Sequence, residues 1–170
     1  MSVGAIAIGR NEGPRLIACL ASLKGHADHI VYVDSGSTDY SVAVAEAEGV
    51  NVVRLDMSVP FTAARARNAG FERLHNLAPD VVYAQFLDSD CEIDPAWIDA
   101  GVAAMQENPD VAVTCGWREE KFPEATLWNT LIDAEWHNAT PGPVHACGGD
   151  ALMRVTAVQA VGGYREDLIA

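Results

Sequence analysis

Positive charge is scarce in this chain: 11 Lys and Arg stand against 24 Asp and Glu, a formal net charge of -13. A surface that grips a nucleic-acid backbone needs clustered cations, so nucleic-acid binding is not an expected role. An anionic small molecule is still allowed, because a divalent ion can reverse the field at one site. Cysteine is sparse too, and Cys19, Cys91, Cys115 and Cys147 include no Cys-x-x-Cys pair. Neither a zinc site nor a disulfide framework is expected, and free thiols in a reducing compartment fit the pattern. No apolar run approaches the ~20 residues of a membrane span. The stretch Met1 to Ile8 is apolar but lacks a basic start and runs straight into Arg10-Asn11-Glu12, so it does not read as a signal peptide. Internal repeats and low-complexity tracts are absent.

What is present is one domain's worth of ordinary globular sequence: 170 residues, 49% hydrophobic and 21% charged. Short apolar runs at Val3 to Ile8, His29 to Val33, Val50 to Leu55 and Val81 to Leu87 read as buried strands. Helical spacing recurs between them, from Pro14 to Lys24, up to Glu48 with Ser37 or Thr38 as its cap, and from Thr62 to Leu77. Asp94-Pro95 predicts a cap and first turn for a helix to Glu107, and Val111 to Trp117 reads as a further strand. After Trp117 the pattern weakens. Ala125 to Trp136 looks amphipathic, Val144 to Cys147 and Ala151 to Val155 flank a glycine turn as a candidate hairpin, and a short helix covers Thr156 to Val161. Alternating strands and helices imply a three-layer α/β/α fold around a mostly parallel mixed sheet.

The Val81 to Leu87 run ends in Asp88-Ser89-Asp90. In extended chain, residues two apart face the same side, and paired hard oxygens suit Mg2+ or Mn2+. An Asx-type turn closing the strand is the plainer alternative. Ligands of open α/β sheets bind outside the carboxyl ends of the strands. Three polar loops follow strands here, Gly9 to Gly13, Asp34 to Asp39 and Asp88 to Asp90, and all should converge on one edge. Arg65 and Arg67 on the preceding helix are candidates for a base or a diphosphate, or a solvated helix face. His145 and Cys147, and the tryptophans Trp117, Trp128 and Trp136, read more readily as packing than as ligands or sugar platforms.

The order of Arg10-Asn11-Glu12, Val33-Asp34-Ser35-Gly36-Ser37-Thr38-Asp39, Ala66-Arg67-Asn68-Ala69-Gly70, Phe86-Leu87-Asp88-Ser89-Asp90 and Val161-Gly162-Gly163-Tyr164 resembles the family 2 glycosyltransferases with a GT-A, Rossmann-like fold. That resemblance covers nearly the whole chain. It implies an inverting enzyme that moves a sugar from a nucleotide-diphosphate donor to an acceptor, with Mn2+ or Mg2+ on the diphosphate. It further implies that Ile8, Gly9, Arg10, Asp34 and Arg67 line the nucleotide pocket, with Asp34 at the base or ribose. Asp90 would then ligate the metal, Asp88 would face the ribose or a metal-bound water, and Gly149-Asp150 would lie beneath donor sugar and acceptor. Residues 1–117 would form the nucleotide-sugar half and 118–170 the start of an acceptor-side half.

One departure stands out. The family's catalytic base follows the segment matched by Gly162 to Asp167, at a position past Ala170, so a fragment ending before its base is expected. Asp150 and Glu166 are the substitute candidates. The competing readings are a sugar-phosphate nucleotidyltransferase, which lacks its clustered glycines here, and a non-catalytic carbohydrate- or nucleotide-binding module. A dehalogenase-like phosphatase would need its nucleophile where Gly9-Arg10 stands. The acceptor is open among carbohydrate, lipid-linked and protein classes. A cytoplasmic location is expected, with the inner membrane surface as a further option.

Overall fold

A computed structural model describes residues 2–138 and 140–167. Strand β1 (Val3–Gly9) is buried on both faces. Its alternation sorts the core: Ile6 and Ile8 enter one apolar cluster, while Val3, Ala5 and Ala7 enter two others on the opposite face. Against the second face pack helix α1 (Pro14–Leu23), with Leu16, Cys19, Leu20 and Leu23 buried at helical spacing, and the short helix α2 (Ser41–Ala47). Against the first face packs α3 (Ala63–Leu77), capped by the Thr62 side chain, which accepts from the Arg65 N–H. A Cβ on Gly70 would lie 2.4 Å from Ile6 Cγ2, so this glycine is what lets α3 approach β1 so closely.

Strand β2 (His29–Asp34) pairs in parallel with β1, and β3 (Asn51–Arg54) pairs in parallel with β2. The chain then returns through α3 to β4 (Tyr83–Asp88), on the other side of β1 and again parallel to it. Beyond β4 the sheet turns antiparallel. β6 (Ala151–Arg154) lies between β4 and β5 (Val113–Thr114), giving the order β3-β2-β1-β4-β6-β5. The expected three-layer, mostly parallel mixed α/β sheet is therefore what the chain forms.

Local expectations fail at four places. Helix α2 is not capped by Ser37 or Thr38; instead Asp39 Oδ1 accepts from the Ser41 N–H at 2.9 Å and the helix begins later. Asp94-Pro95 forms a turn ahead of α4 (Trp97–Glu107), with Asp94 Oδ1 accepting from Ala96 N–H at 2.8 Å. The strand expected over Val111 to Trp117 shrinks to Val113–Thr114, because it sits at the sheet edge with β6 as its one partner. Residues 144–147 form no strand, so the candidate hairpin is absent; β6 pairs with β4 and β5 instead. Helix α5 (Leu127–Trp136) buries no residue, and α6 (Val155–Val161) ends at Gly162 with φ 76°.

Candidate functional site

Strand order reverses beside β1, where β2 leaves to one side and β4 returns on the other. Such a switch point opens a crevice at the carboxyl ends of the strands. The register fixes what meets there: Gly9 lies opposite Asp34, and Ile8 opposite Asp88. The first two loops are laced together. Asn11, with φ 58°, accepts on Oδ1 from the Thr38 N–H at 2.7 Å, while its own N–H donates to Ser37 Oγ at 2.9 Å. Asp34 is 4% exposed, and its carboxylate accepts from the Gly36 N–H at 3.0 Å and the Ser37 N–H at 3.1 Å. Its direct effect is thus to shape the loop that follows it.

An open cavity of about 400 Å3 lies between these loops. Ile8, Gly9 and Arg10 form one side, Ser35 another, and Asp88 and Asp90 a third. Phe61 and Ala63, which the sequence reading did not single out, close the fourth. Phe61 is half exposed just ahead of the Thr62 cap, a signal visible in sequence only as an aromatic before a helix start. A Cβ on Gly9 would sit 1.8 Å from Ser89 Oγ, so the first and third loops touch through this glycine. The hydroxyl oxygens of Ser35 and Ser89 are buried at this wall with no hydrogen-bond partner among the described residues. Unsatisfied buried hydroxyls cost free energy, which is typical of a wall held in place for function.

The two carboxylates of the third loop have different surroundings. The chain leaves the strand after Asp88 in a turn closed by Cys91 N–H donating to Asp88 O at 3.0 Å, so the extended spacing assumed from sequence does not continue to Asp90. Asp88 points to the α3 face, where Arg67 Nη2 donates to its Oδ1 at 2.9 Å. A Cβ on Gly149 would stand 2.1 Å from Asp88 Oδ2. Asp90 is exposed and lines the same cavity. Among the described residues no group of three or more His, Cys, Asp or Glu could enclose a metal. Two carboxylates on one open wall nevertheless fit Mg2+ or Mn2+, hard cations of the kind commonly held by one or two protein carboxylates plus substrate phosphate and water.

Behind Asp88 a polar chain crosses the sheet. Gln85, fully buried in β4, donates through Nε2 to Asp150 Oδ1 and accepts on Oε1 from the Trp97 indole N–H at 2.8 Å. Burial pushes the Asp150 carboxyl above its ordinary range, against the pull of the Gln85 hydrogen bond and of Arg118. Asn68 holds the other flank: it accepts from the Tyr164 N–H at 2.8 Å and donates to Tyr164 O at 2.9 Å and to Glu166 Oε1 at 2.8 Å.

Residues 6–162 match the profile of glycosyl transferase family 2. The chain belongs to that family. Its fold is that of solved GT-A transferases. Staphylococcus aureus TarS superposes over 100% of this chain and 52% of its own at TM-score 0.68 and 19% identity. A mannosyltransferase from Pyrobaculum calidifontis, in complex with GDP-Man and Mn2+, superposes over 98% of this chain and 48% of its own at TM-score 0.68 and 21% identity. Glucosyl-3-phosphoglycerate synthase from Mycobacterium tuberculosis, with UDP and Mn2+, covers 92% and 58% at TM-score 0.60 and 18% identity. A TPR repeat-containing protein of Synechococcus elongatus is 38% identical over 58 residues, 34% of this chain and 14% of its own length. The chain thus spans about half the length of these solved structures.

Within this family 2 domain, some sequence candidates lie elsewhere. Arg65 does not reach the cavity; its guanidinium donates to Asp56 O, Val59 O and Pro60 O at 2.6 to 2.8 Å and so fastens the loop that carries Phe61. His145 and Cys147 are exposed, which removes the packing role expected of them. Trp117 and Trp128 are 57% and 74% exposed rather than core. No helix among the described residues is long and apolar enough to cross a membrane.

Proposed function

We propose that this family 2 chain transfers a sugar, with inversion, from a nucleoside-diphosphate donor to an acceptor hydroxyl. One observation carries the reading: Gly9-Arg10, Ser35, Asp88 and Asp90 line a single cavity at the point where the strand order reverses. The donors named for the solved structures, GDP-Man in one and UDP-glucose in another, support a nucleotide-sugar ligand here.

In this proposal the Ile8, Gly9 and Arg10 segment and the loop shaped by Asp34 receive the nucleoside. Asp90, with Asp88 beside it, would hold Mn2+ or Mg2+, which neutralises charge on the departing diphosphate. Arg67 anchors Asp88, so the ligand wall is set before donor arrives. Residues 1–117 carry this donor half, and 118–170 begin the acceptor side. The resemblance matches no residue of 1–170 to the family's proton-accepting carboxylate. Of the two substitutes, Glu166 is tied to Asn68, while Asp150 lines a neighbouring cavity, which favours it. The four free cysteines support a reducing, cytoplasmic setting.

Calorimetry with UDP and with GDP, each with and without Mn2+, tests the reading. Metal-dependent binding to one of them that Asp90→Ala abolishes is the expected result. Absence of binding to either nucleotide, or binding indifferent to Asp90→Ala, would overturn it.

A further inference from the structure

A second cavity, of about 410 Å3, opens on the far side of the Asp88 to Cys91 turn. Its volume falls within the roughly 300–1,000 Å3 range of small-molecule sites. Trp97, Trp117 and Gly116 line it together with the acidic residues Glu92, Asp94 and Asp150, whose carboxylates each hold a protein partner: Lys121, the Ala96 N–H and Gln85. None of these belongs to the donor cavity. The two spaces are nonetheless adjacent, because Gly149 touches Asp88 and the next residue, Asp150, faces the second cavity.

Three features show that this space is built. Trp97 is pinned by its indole N–H to Gln85, the same buried amide that holds Asp150. A Cβ on Gly116 would lie 3.1 Å from Trp97 Cζ3 and 3.4 Å from Asp150 Oδ2, so any side chain there would crowd the floor. Trp117 beside them leaves its indole 57% exposed and so open to a ligand.

The chemistry of the lining selects the occupant. Nearby cations are already engaged: Lys121 pairs with Glu92, and the Arg118 guanidinium stacks 4.8 Å from the centroid of the Trp136 ring. A phosphorylated or carboxylated ligand would meet a lining whose charged residues, Glu92, Asp94 and Asp150, are all acidic, with Lys121 and Arg118 outside it. A molecule with one apolar face and a rim of hydroxyl donors meets an aromatic platform and acceptors instead. We propose that this cavity receives the acceptor as an uncharged or amine-bearing carbohydrate ring, its apolar face on Trp117 and its hydroxyls donating to Glu92, Asp94 and Asp150. Naming the occupant an acceptor rests on the transferase reading above; its carbohydrate chemistry does not.

Saturation-transfer NMR titrations of the chain with methyl β-glucopyranoside, N-acetylglucosamine and glucosamine, alongside glucose 6-phosphate and glucosamine 6-phosphate, test this. At least one unphosphorylated sugar saturates, its phosphorylated counterpart binds at least tenfold more weakly, and Trp117→Ala weakens it about tenfold while Trp117→Phe restores most of it. Equal or tighter binding of the phosphates, indifference to Trp117→Ala, or no saturation by any of the sugars would overturn the proposal. UDP and GDP with Mn2+ on the same sample separate the two readings. Sugar binding without nucleotide binding removes the transferase reading and leaves a carbohydrate site; nucleotide binding without Trp117-dependent sugar binding removes this inference alone.

Discussion

Arg67 crosses from α3 to place Nη2 2.9 Å from Asp88 Oδ1, and the same guanidinium lies 5.6 Å from the centre of the Tyr164 ring. The arginine side chain is only 14% exposed, against 46% for the aspartate, so the anchor is fixed and the carboxylate still reaches the cavity. Partners of this kind orient a metal ligand without touching the metal, and their loss typically costs roughly 10–100-fold in metal affinity. Arg67→Ala is therefore expected to weaken Mn2+-dependent nucleotide binding on that scale. Lysine offers a point charge instead of a planar fork, so Arg67→Lys recovers part of it. Calorimetric affinities equal to wild type in Arg67→Ala would remove Arg67 from the site.

The neighbouring glycines make an internal comparison. A methyl on Gly149 would meet Asp88 Oδ2 at 2.1 Å, whereas one on Gly148 meets the far end of the flexible Arg118 side chain at 3.1 Å. Overpacking at a fixed neighbour costs about 1–3 kcal/mol, but a long side chain can swing aside. Gly149→Ala should lower the unfolding midpoint in urea and displace Asp88, reducing Mn2+-nucleotide affinity; Gly148→Ala should do neither. Equal effects from both would show that Asp88 is free to move.

How far the sequence alone reaches depends on how local the cause is. β1, β4 and α3 were legible because continuous apolar runs and helical spacing act over a few residues, and burial confirms them in Ile6, Phe86 and Leu74. The convergence of Gly9, Asp34 and Asp88 followed from strand-end loops alone. What stayed hidden is non-local. Nothing near Ala151 announces that β6 will insert between β4 and β5, and an edge strand with one partner, β5, keeps little of its apolar run paired. Arg65 illustrates the same limit. As a guanidinium near a nucleotide site it reads as a ligand or as part of a solvated helix face, yet three backbone carbonyls of the preceding loop claim it.

Asn68 offers a test of what holds the Gly162-Gly163-Tyr164 turn. Its amide satisfies both the N–H and the C=O of Tyr164, a residue 96 positions later, and Gly163 sits at φ 82° with room for no Cβ beside Asn68 Oδ1. Removing it strands two backbone groups at once, so Asn68→Ala is expected to cost about 1–3 kcal/mol in urea denaturation. Because Tyr164 packs edge-on against Phe86 at 5.2 Å and under Arg67, the same variant should also loosen the Asp88 anchor. A loss below about 0.5 kcal/mol would mean that apolar packing alone holds the turn.

Asp150 gives a prediction whose sign is fixed by its surroundings. Burial raises its pKa above the ordinary 3.8, and this outweighs the Gln85 hydrogen bond, Arg118 and the Gly116 backbone. A carboxyl raised on folding binds its proton more tightly in the folded state. Its stabilising contribution is therefore complete below the unfolded value and is lost as pH rises through the folded one. At about pH 7 the ionised group is a net burden on the fold. Asp150→Asn stays uncharged and keeps an oxygen to accept from Gln85, so it should unfold at higher urea than wild type near neutrality. That advantage should shrink as pH falls towards about 4. Urea midpoints taken across this range decide the matter, and a variant less stable than wild type at neutral pH would show that Arg118 outweighs burial. Stability gained by neutralising a residue, together with weaker sugar binding in the second cavity, is the pattern of a group kept charged for its ligand at the expense of the fold.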